Sequence, residues 1–144
     1  MSLKMNVATI EIYSYRMLTP LHIATKRGHI DAMRLLIDNG ACVNTPAICT
    51  WNRTPLHMAS WGSNIDAVRL LINNGADVNT RDIYGETPLH DAVVNNNISM
   101  IQLLITNGAN INAMDRNGRT ALRYAIAEGY NDAVRLLREY GAKE

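Results

Sequence analysis

Three of the four histidines recur at matching positions of the chain, which makes them the first candidates for chemistry. His22, His57 and His90 each follow the letters Thr-Pro-Leu, at intervals of 35 and 33 residues. The ligands of one zinc ion lie ~2 Å from it, whereas packed helices lie ~8–10 Å apart. Histidines repeated at this spacing therefore cannot readily share a metal. We expect each of them to make a structural hydrogen bond near the start of a helix.

No other combination of residues supports a catalytic or cofactor site. His90 is followed by Asp91, but adjacent residues of a helix do not face each other, so this pair is a poor catalytic dyad. Cys42 and Cys49 fall in one loop, and a disulfide between them would need an oxidising environment. The sequence has no phosphate-binding glycine loop and no nucleophile elbow. We therefore predict a non-enzymatic protein without cofactor or metal.

The composition is that of one folded domain. The 144 residues are 47% hydrophobic and 19% charged, with a net charge of +1, which argues against disorder and against a strongly basic nucleic-acid binder. No apolar run approaches the roughly 18 residues of a membrane span, and the N-terminus lacks a signal-peptide pattern. Two cysteines do not form a disulfide framework. We expect a monomeric, cytoplasmic protein, and delivery into a host cell as an effector stays open as an alternative.

A fourfold repeat organises the chain. Thr-Pro-Leu-His begins at Thr19, Thr54 and Thr87, and a weaker copy, Thr-Ala-Leu-Arg, begins at Thr120. Threonine caps helices and proline is tolerated in the first turn, while glycine allows the left-handed conformation that ends a helix. Each repeat is therefore predicted to contain two helices. The first helices should end near Gly28, Ser63, Asn96 and Gly129; the second helices should span residues 30–39, 65–74, 98–107 and 131–140, and end at Gly40, Gly75, Gly108 and Gly141.

The Thr-Pro-Leu-His-x-Ala element, the paired helices and the ~33-residue period resemble the ankyrin repeat. This resemblance implies an all-α repeat solenoid of stacked helix pairs joined by β-hairpin-like loops. Residues 19–144 are predicted to form the repeat domain, with repeats of about 14–45, 46–80, 81–113 and 114–144. Residues 1–18 would be an N-terminal extension or cap, of which 1–3 could be an expression remnant. Helix and strand stay open for residues 7–18, which could cover the first repeat or pair with a second copy.

The resemblance also implies a concave binding surface formed by the loops and the first helices. Both tryptophans, Trp51 and Trp61, stand at positions that often contact partners in this family, and tryptophan and arginine are enriched at binding hot spots. These positions hold six cationic and two anionic residues, although the whole chain is only +1. The predicted partner-binding residues are Arg16, Lys26, Arg27, Trp51, Arg53, Trp61, Tyr84, Glu86, Arg116 and Arg119.

We predict a non-catalytic protein-interaction module whose partner presents an acidic or mixed acidic-apolar surface. The alternative is an anionic non-protein ligand, nucleic acid or phosphoinositide, bound by the same basic face. Trp51 and Trp61 should be partly solvent-exposed and lie on the same side as Tyr84; the opposing interpretation seals them between repeats. Arg27 and Arg53 should act mainly on the association rate, because exposed charges steer encounters.

Overall fold

The computed structural model describes residues 18–144, and within them eight α-helices form four pairs. The first helices of the pairs are α1 (Pro20–Lys26), α3 (Pro55–Trp61), α5 (Pro88–Val94) and α7 (Ala121–Glu128). The second helices are α2 (Ile30–Asp38), α4 (Ile65–Asn73), α6 (Ile98–Thr106) and α8 (Asn131–Glu139). Each first helix packs against the first helix of the next pair. The predicted all-α solenoid of stacked helix pairs is confirmed.

Each first helix begins after the recurring threonine, and the histidine of the motif ties the repeats together. In three repeats the backbone N–H of the threonine donates to Nδ1 of the histidine three residues later, at 3.1–3.3 Å. Because Nδ1 accepts, Nε2 carries the proton and donates to a backbone carbonyl oxygen of the next repeat at 3.0–3.2 Å. The expected structural role of His22, His57 and His90 is therefore confirmed.

Burial keeps these three imidazole rings uncharged. It lowers the pKa of His22, His57 and His90, and brings that of His57 to about 4. A neutral ring can accept at one nitrogen and donate at the other, as the two hydrogen bonds require. Protonation in acid would remove the acceptor and break the link to the threonine.

Residues with positive φ end the helices at the predicted positions. The second helices are followed within two residues by Gly40, Gly75, Gly108 and Gly141, with φ between +88° and +94°. The first helices are followed within two residues by Gly28, Ser63, Asn96 and Gly129, with φ between +49° and +72°. Most L-residues are sterically strained in this region, which explains the glycine that recurs after each second helix.

The core follows the same period. The leucine and the alanine of every first helix are buried: Leu21, Leu56, Leu89 and Leu122 with Ala24, Ala59, Ala92 and Ala125. In the second helices Leu71 and Leu104 are fully buried, whereas the equivalent Leu36 of the first repeat is only half-buried. Its neighbour Leu35 is 65% exposed. Residues 1–17, predicted to cover this flank, lie outside the described part of the chain.

A recurring asparagine joins the loops behind the second helices. The side chain of Asn44 donates to the carbonyl oxygen of Gly75 at 3.0 Å and accepts from the N–H of Asp77 at 2.7 Å. Asn79 makes the equivalent bonds to Gly108 and Asn110, at 3.1 and 2.6 Å. These bonds fix the spacing between repeats independently of the helix core.

Candidate binding surface

The loops that precede the first helices are held side by side by backbone hydrogen bonds. The N–H of Ile83 donates to the carbonyl oxygen of Trp51 at 2.8 Å, and the N–H of Arg116 donates to that of Tyr84 at 2.9 Å. The rings of Trp51 and Tyr84 lie 6.3 Å apart, centroid to centroid. The loop tips therefore present their aromatic side chains at a fixed separation.

An aspartate closes each of the last two of these loops. One carboxylate oxygen of Asp82 accepts from the N–H groups of Tyr84 and Glu86, both at 2.9 Å. Asp115 accepts in the same way from Asn117 and Arg119, at 2.8 and 2.9 Å. Hydrogen bonds of this kind hold a turn without help from a partner molecule.

A cleft of about 560 Å³ opens between the first and second repeats. The residues that line it, which we call the cleft residues, are Leu18, Lys26, Thr50, Trp51, Arg53, Met58, Trp61 and Gly62. Trp51 is 58% exposed and Trp61 is 51% exposed. The predicted exposure of both tryptophans is confirmed, and the interpretation that seals them between repeats is wrong. For Trp51 the predicted position on the same side as Tyr84 is also confirmed, since the two rings are neighbours.

Arg53 is held within the protein by three carboxylates. Its Nε lies 3.3 Å from Oδ2 of Asp82, and its Nη2 lies 3.2 Å from Oε2 of Glu86 and 3.0 Å from Oδ1 of Asp91. The guanidinium also lies 5.5 Å from the ring centroid of Trp61. We call Arg53 and its three carboxylates the Arg53 cluster. They come from the second and third repeats, so the cluster links two units of the stack.

The cluster changes what the charges of Arg53 and Glu86 can offer a partner. The sequence predicts that both residues contact a partner and that Arg53 acts mainly on the association rate. The side chain of Arg53 is only 15% exposed and is bound by three carboxylates, of which Glu86 supplies one. A charge compensated inside the fold steers a distant partner weakly. The sequence does not reveal this pairing because all three carboxylates belong to another repeat, 29 to 38 residues away.

Asp91 belongs to the Arg53 cluster, and the sequence did not predict this placement. Burial raises the pKa of Asp91 to about 8, against the attraction of Arg53, and nearby Glu86 and Asp82 raise it further. A single guanidinium cannot neutralise three carboxylates, so the buried carboxyl group of Asp91 keeps its proton at neutral pH. One feature of the sequence could have indicated a special role for this position. Asp91 is acidic, whereas the other repeats have Ile23, Met58 and Tyr124 at the equivalent position.

Arg119 is also engaged within the protein. Its Nε lies 2.9 Å from Oδ2 of Asp115, and its guanidinium lies 4.6 Å from the ring centroid of Tyr124. The hydroxyl of Tyr124 donates to Glu86 and Asp115, both at 3.3 Å. Burial and these carboxylates raise the pKa of Tyr124 to about 12. The positive charge of Arg119 is therefore paired within the protein, although its side chain stays 47% exposed.

The remaining predicted cations are placed differently. Lys26, Arg27 and Arg116 are exposed or partly exposed and make no ion pair within residues 18–144, while Arg16 lies outside that range. Lys26 is a cleft residue and Arg27 follows it directly. The structure therefore brings two tryptophans and one unpaired lysine together, with the charge-balanced Arg53 beside them.

Comparison with known families agrees with this architecture. A family model described as ankyrin repeats (3 copies) matches residues 4–82 and 81–144. The chain belongs to the ankyrin-repeat family. The match starts at residue 4, inside the segment predicted to be an N-terminal extension. No curated protein matches the chain significantly.

Members of the family are generally protein–protein interaction modules and are typically non-catalytic. Among residues 18–144, no helix is long and apolar enough to cross a bilayer. The two cysteines, Cys42 and Cys49, are both exposed and free.

Proposed function

We propose that this chain is a non-catalytic interaction module that binds a protein partner through the face formed by the loops and the first helices. The observation that carries the proposal is the cleft between the first two repeats. Two half-exposed tryptophans line it, Trp51 in a hydrogen-bonded loop and Trp61 at the end of α3. An aromatic side chain buries ~150–250 Å² when a partner covers it, and such residues dominate binding energies. The partner presents an acidic or mixed acidic-apolar surface.

The charges of this face favour a protein over a polyanion. Nucleic acids are bound by cations that neutralise several phosphates at once. Here Arg53 and Arg119 are already paired with carboxylates of the protein. Two cations close to the cleft, Lys26 and Arg27, suit a few carboxylates of a partner better than a continuous phosphate backbone.

A comparative pull-down tests the proposal. The wild-type chain, a Trp51→Ala, Trp61→Ala double variant and a Tyr140→Ala control are used as baits under identical conditions. Tyr140 is an exposed aromatic residue at the end of α8, away from the cleft. Proteins recovered with the wild type and the control should be lost from the double variant. Recovery of the same proteins by all three baits would contradict the proposal.

A salt titration separates the anionic-ligand alternative. If the chain binds phosphate groups, the logarithm of the affinity should fall linearly and steeply with the logarithm of the salt concentration. A protein partner anchored by tryptophans should show a shallow dependence, because burial of apolar surface is little affected by screening.

A further inference from the structure

Resting on the proposed function, we infer that the cleft between the first and second repeats anchors a short extended segment of the partner. A large apolar side chain of that segment enters between Trp51 and Trp61, and a carboxylate next to it pairs with Lys26. The proposal concerns the chemistry of the occupant, which the family and the fold leave undefined.

The shape and lining of the cleft suit an inserted apolar side chain. Its volume of about 560 Å³ falls in the range of roughly 300–1,000 Å³ that is typical of ligand pockets. Leu18, Met58 and the two tryptophans supply apolar walls. Methionine adapts its shape to a neighbour, which helps a site to close around a side chain.

The walls of the cleft are held in place before any partner arrives. The carbonyl oxygen of Trp51 accepts from Ile83 at 2.8 Å, and that of Trp61 accepts from the side chain of Asn95 at 2.8 Å. The guanidinium of Arg53 also lies against the Trp61 ring. A preorganised site loses less conformational entropy on binding, so a short segment can bind measurably.

The charges around the cleft select an anion beside the apolar side chain. The lining contains Lys26 and Arg53 but, among residues 18–144, no aspartate or glutamate. The negative charges of the Arg53 cluster exceed the single positive charge of Arg53, so Arg53 offers no net attraction to an anion and Lys26 supplies it. Lys26 makes no ion pair in the described part of the chain. A carboxylate of the partner therefore gains an attraction at this rim, while a lysine or arginine would meet repulsion.

Selection from a library of short random peptides displayed on phage tests this inference with the full chain as bait. The enriched peptides should share a large apolar residue with an aspartate or glutamate close to it. The best peptide is then titrated by fluorescence anisotropy against the wild type, Trp61→Ala, Lys26→Glu and the control Arg69→Glu. Thermal melts of all four proteins establish that each variant is folded.

We expect Trp61→Ala to weaken the peptide about thirtyfold, equivalent to about 2 kcal/mol. Lys26→Glu should weaken it about tenfold, with the loss shrinking as salt rises. Arg69→Glu should leave the affinity within about twofold, because Arg69 is an exposed residue of α4 and is not a cleft residue. Enriched peptides without acidic residues, or affinities that Trp61→Ala leaves unchanged, would overturn the inference.

The outcomes also separate this inference from the proposed function. If the pull-down shows tryptophan-dependent partners but no peptide is enriched, the segment inference is wrong and the proposed function stands. If the chain instead binds phosphoinositide-containing vesicles or an oligonucleotide, and neither peptides nor proteins, both are wrong.

Discussion

The first and second junctions between repeats use the same helix starts and the same histidine links, but they differ in what fills them. At the first junction the side chains of Trp51 and Trp61 border an open cleft. At the second junction three carboxylates close around one guanidinium. Arg53 belongs to both, since it lines the cleft with one side and is the centre of the Arg53 cluster with the other.

The comparison indicates that one set of residues stacks the repeats and another set forms the surface that is available to a partner. The backbone frame is set by caps, turns and small residues that are common to both junctions. The few positions that differ decide whether a junction is open and apolar or filled with paired charges. Buried ion pairs are difficult to desolvate and contribute little net stability, although losing one partner is strongly destabilising. The charged junction should therefore be sensitive to mutation and the open one tolerant of it.

The largest effect is expected for Arg53→Met. Removal of the guanidinium leaves the charges of Asp82 and Glu86 without compensation and the carboxyl group of Asp91 without a hydrogen-bond partner, in a largely buried site. The free energy of unfolding should fall by about 3–5 kcal/mol, measured by urea denaturation. Arg116→Met, an exposed arginine on the same face, should change it by less than about 0.5 kcal/mol. Similar losses in the two variants would remove the basis for treating the junctions as different.

Substitutions in the backbone frame should destabilise both halves of the molecule equally. Gly40 and Gly108 have φ of +91° and +94°, where a β-branched residue is strained. Gly40→Val and Gly108→Val should each cost about 1–2 kcal/mol in unfolding free energy, measured by the same denaturation. The matching asparagine variants should cost less, because asparagine tolerates the left-handed region. Unequal losses for the two valine variants would show that the frame is not shared.

The charged junction should also carry a pH dependence that the open junction lacks. The pKa of Asp91 is about 8 in the fold against 3.8 as the ordinary value, so between these pH values the folded state binds the extra proton. The carboxyl group therefore reduces stability as pH rises through this window, by up to about 1.4 kcal/mol per pH unit.

Asp91→Asn removes this titration. The unfolding free energy of the variant minus that of the wild type should grow from about pH 5 to about pH 8, because the wild type loses stability over this range. Urea denaturation at several pH values measures the difference. The histidines titrate in both proteins, so their contribution cancels. A difference that stays constant with pH would mean that Asp91 is ionised throughout.

The smallest effect on stability is expected for Trp61→Ala. The ring is half exposed and fills a cleft wall, so its loss should cost about 1 kcal/mol or less, in line with other surface positions. Leu56→Ala, a fully buried change on the same helix, should cost about 2–5 kcal/mol. If Trp61→Ala destabilises the chain as much as Leu56→Ala does, the ring is part of the core and the binding proposal loses its main support.

Local chemistry in the sequence was sufficient to predict the frame. Thr54 and Pro55 mark the start of α3, and Gly75 marks the end of α4, because capping and positive φ depend on a few neighbouring residues. The repetition of these signals predicted the solenoid, the buried leucines and the structural role of His57. The exposure of Trp51 and Trp61 also followed from their places in the repeat.

The electrostatics of the candidate surface were decided only by the tertiary structure. Arg53 meets Asp82, Glu86 and Asp91 only after two repeats have stacked, across 29 to 38 residues of sequence. A count of charges on a face treats each residue as independent and exposed. The energy of a charge depends instead on its burial and on the partners within a few ångströms. Helix limits therefore follow from the order of the residues, while the ion pairs of Arg53 and the proton of Asp91 follow from their surroundings in the folded protein.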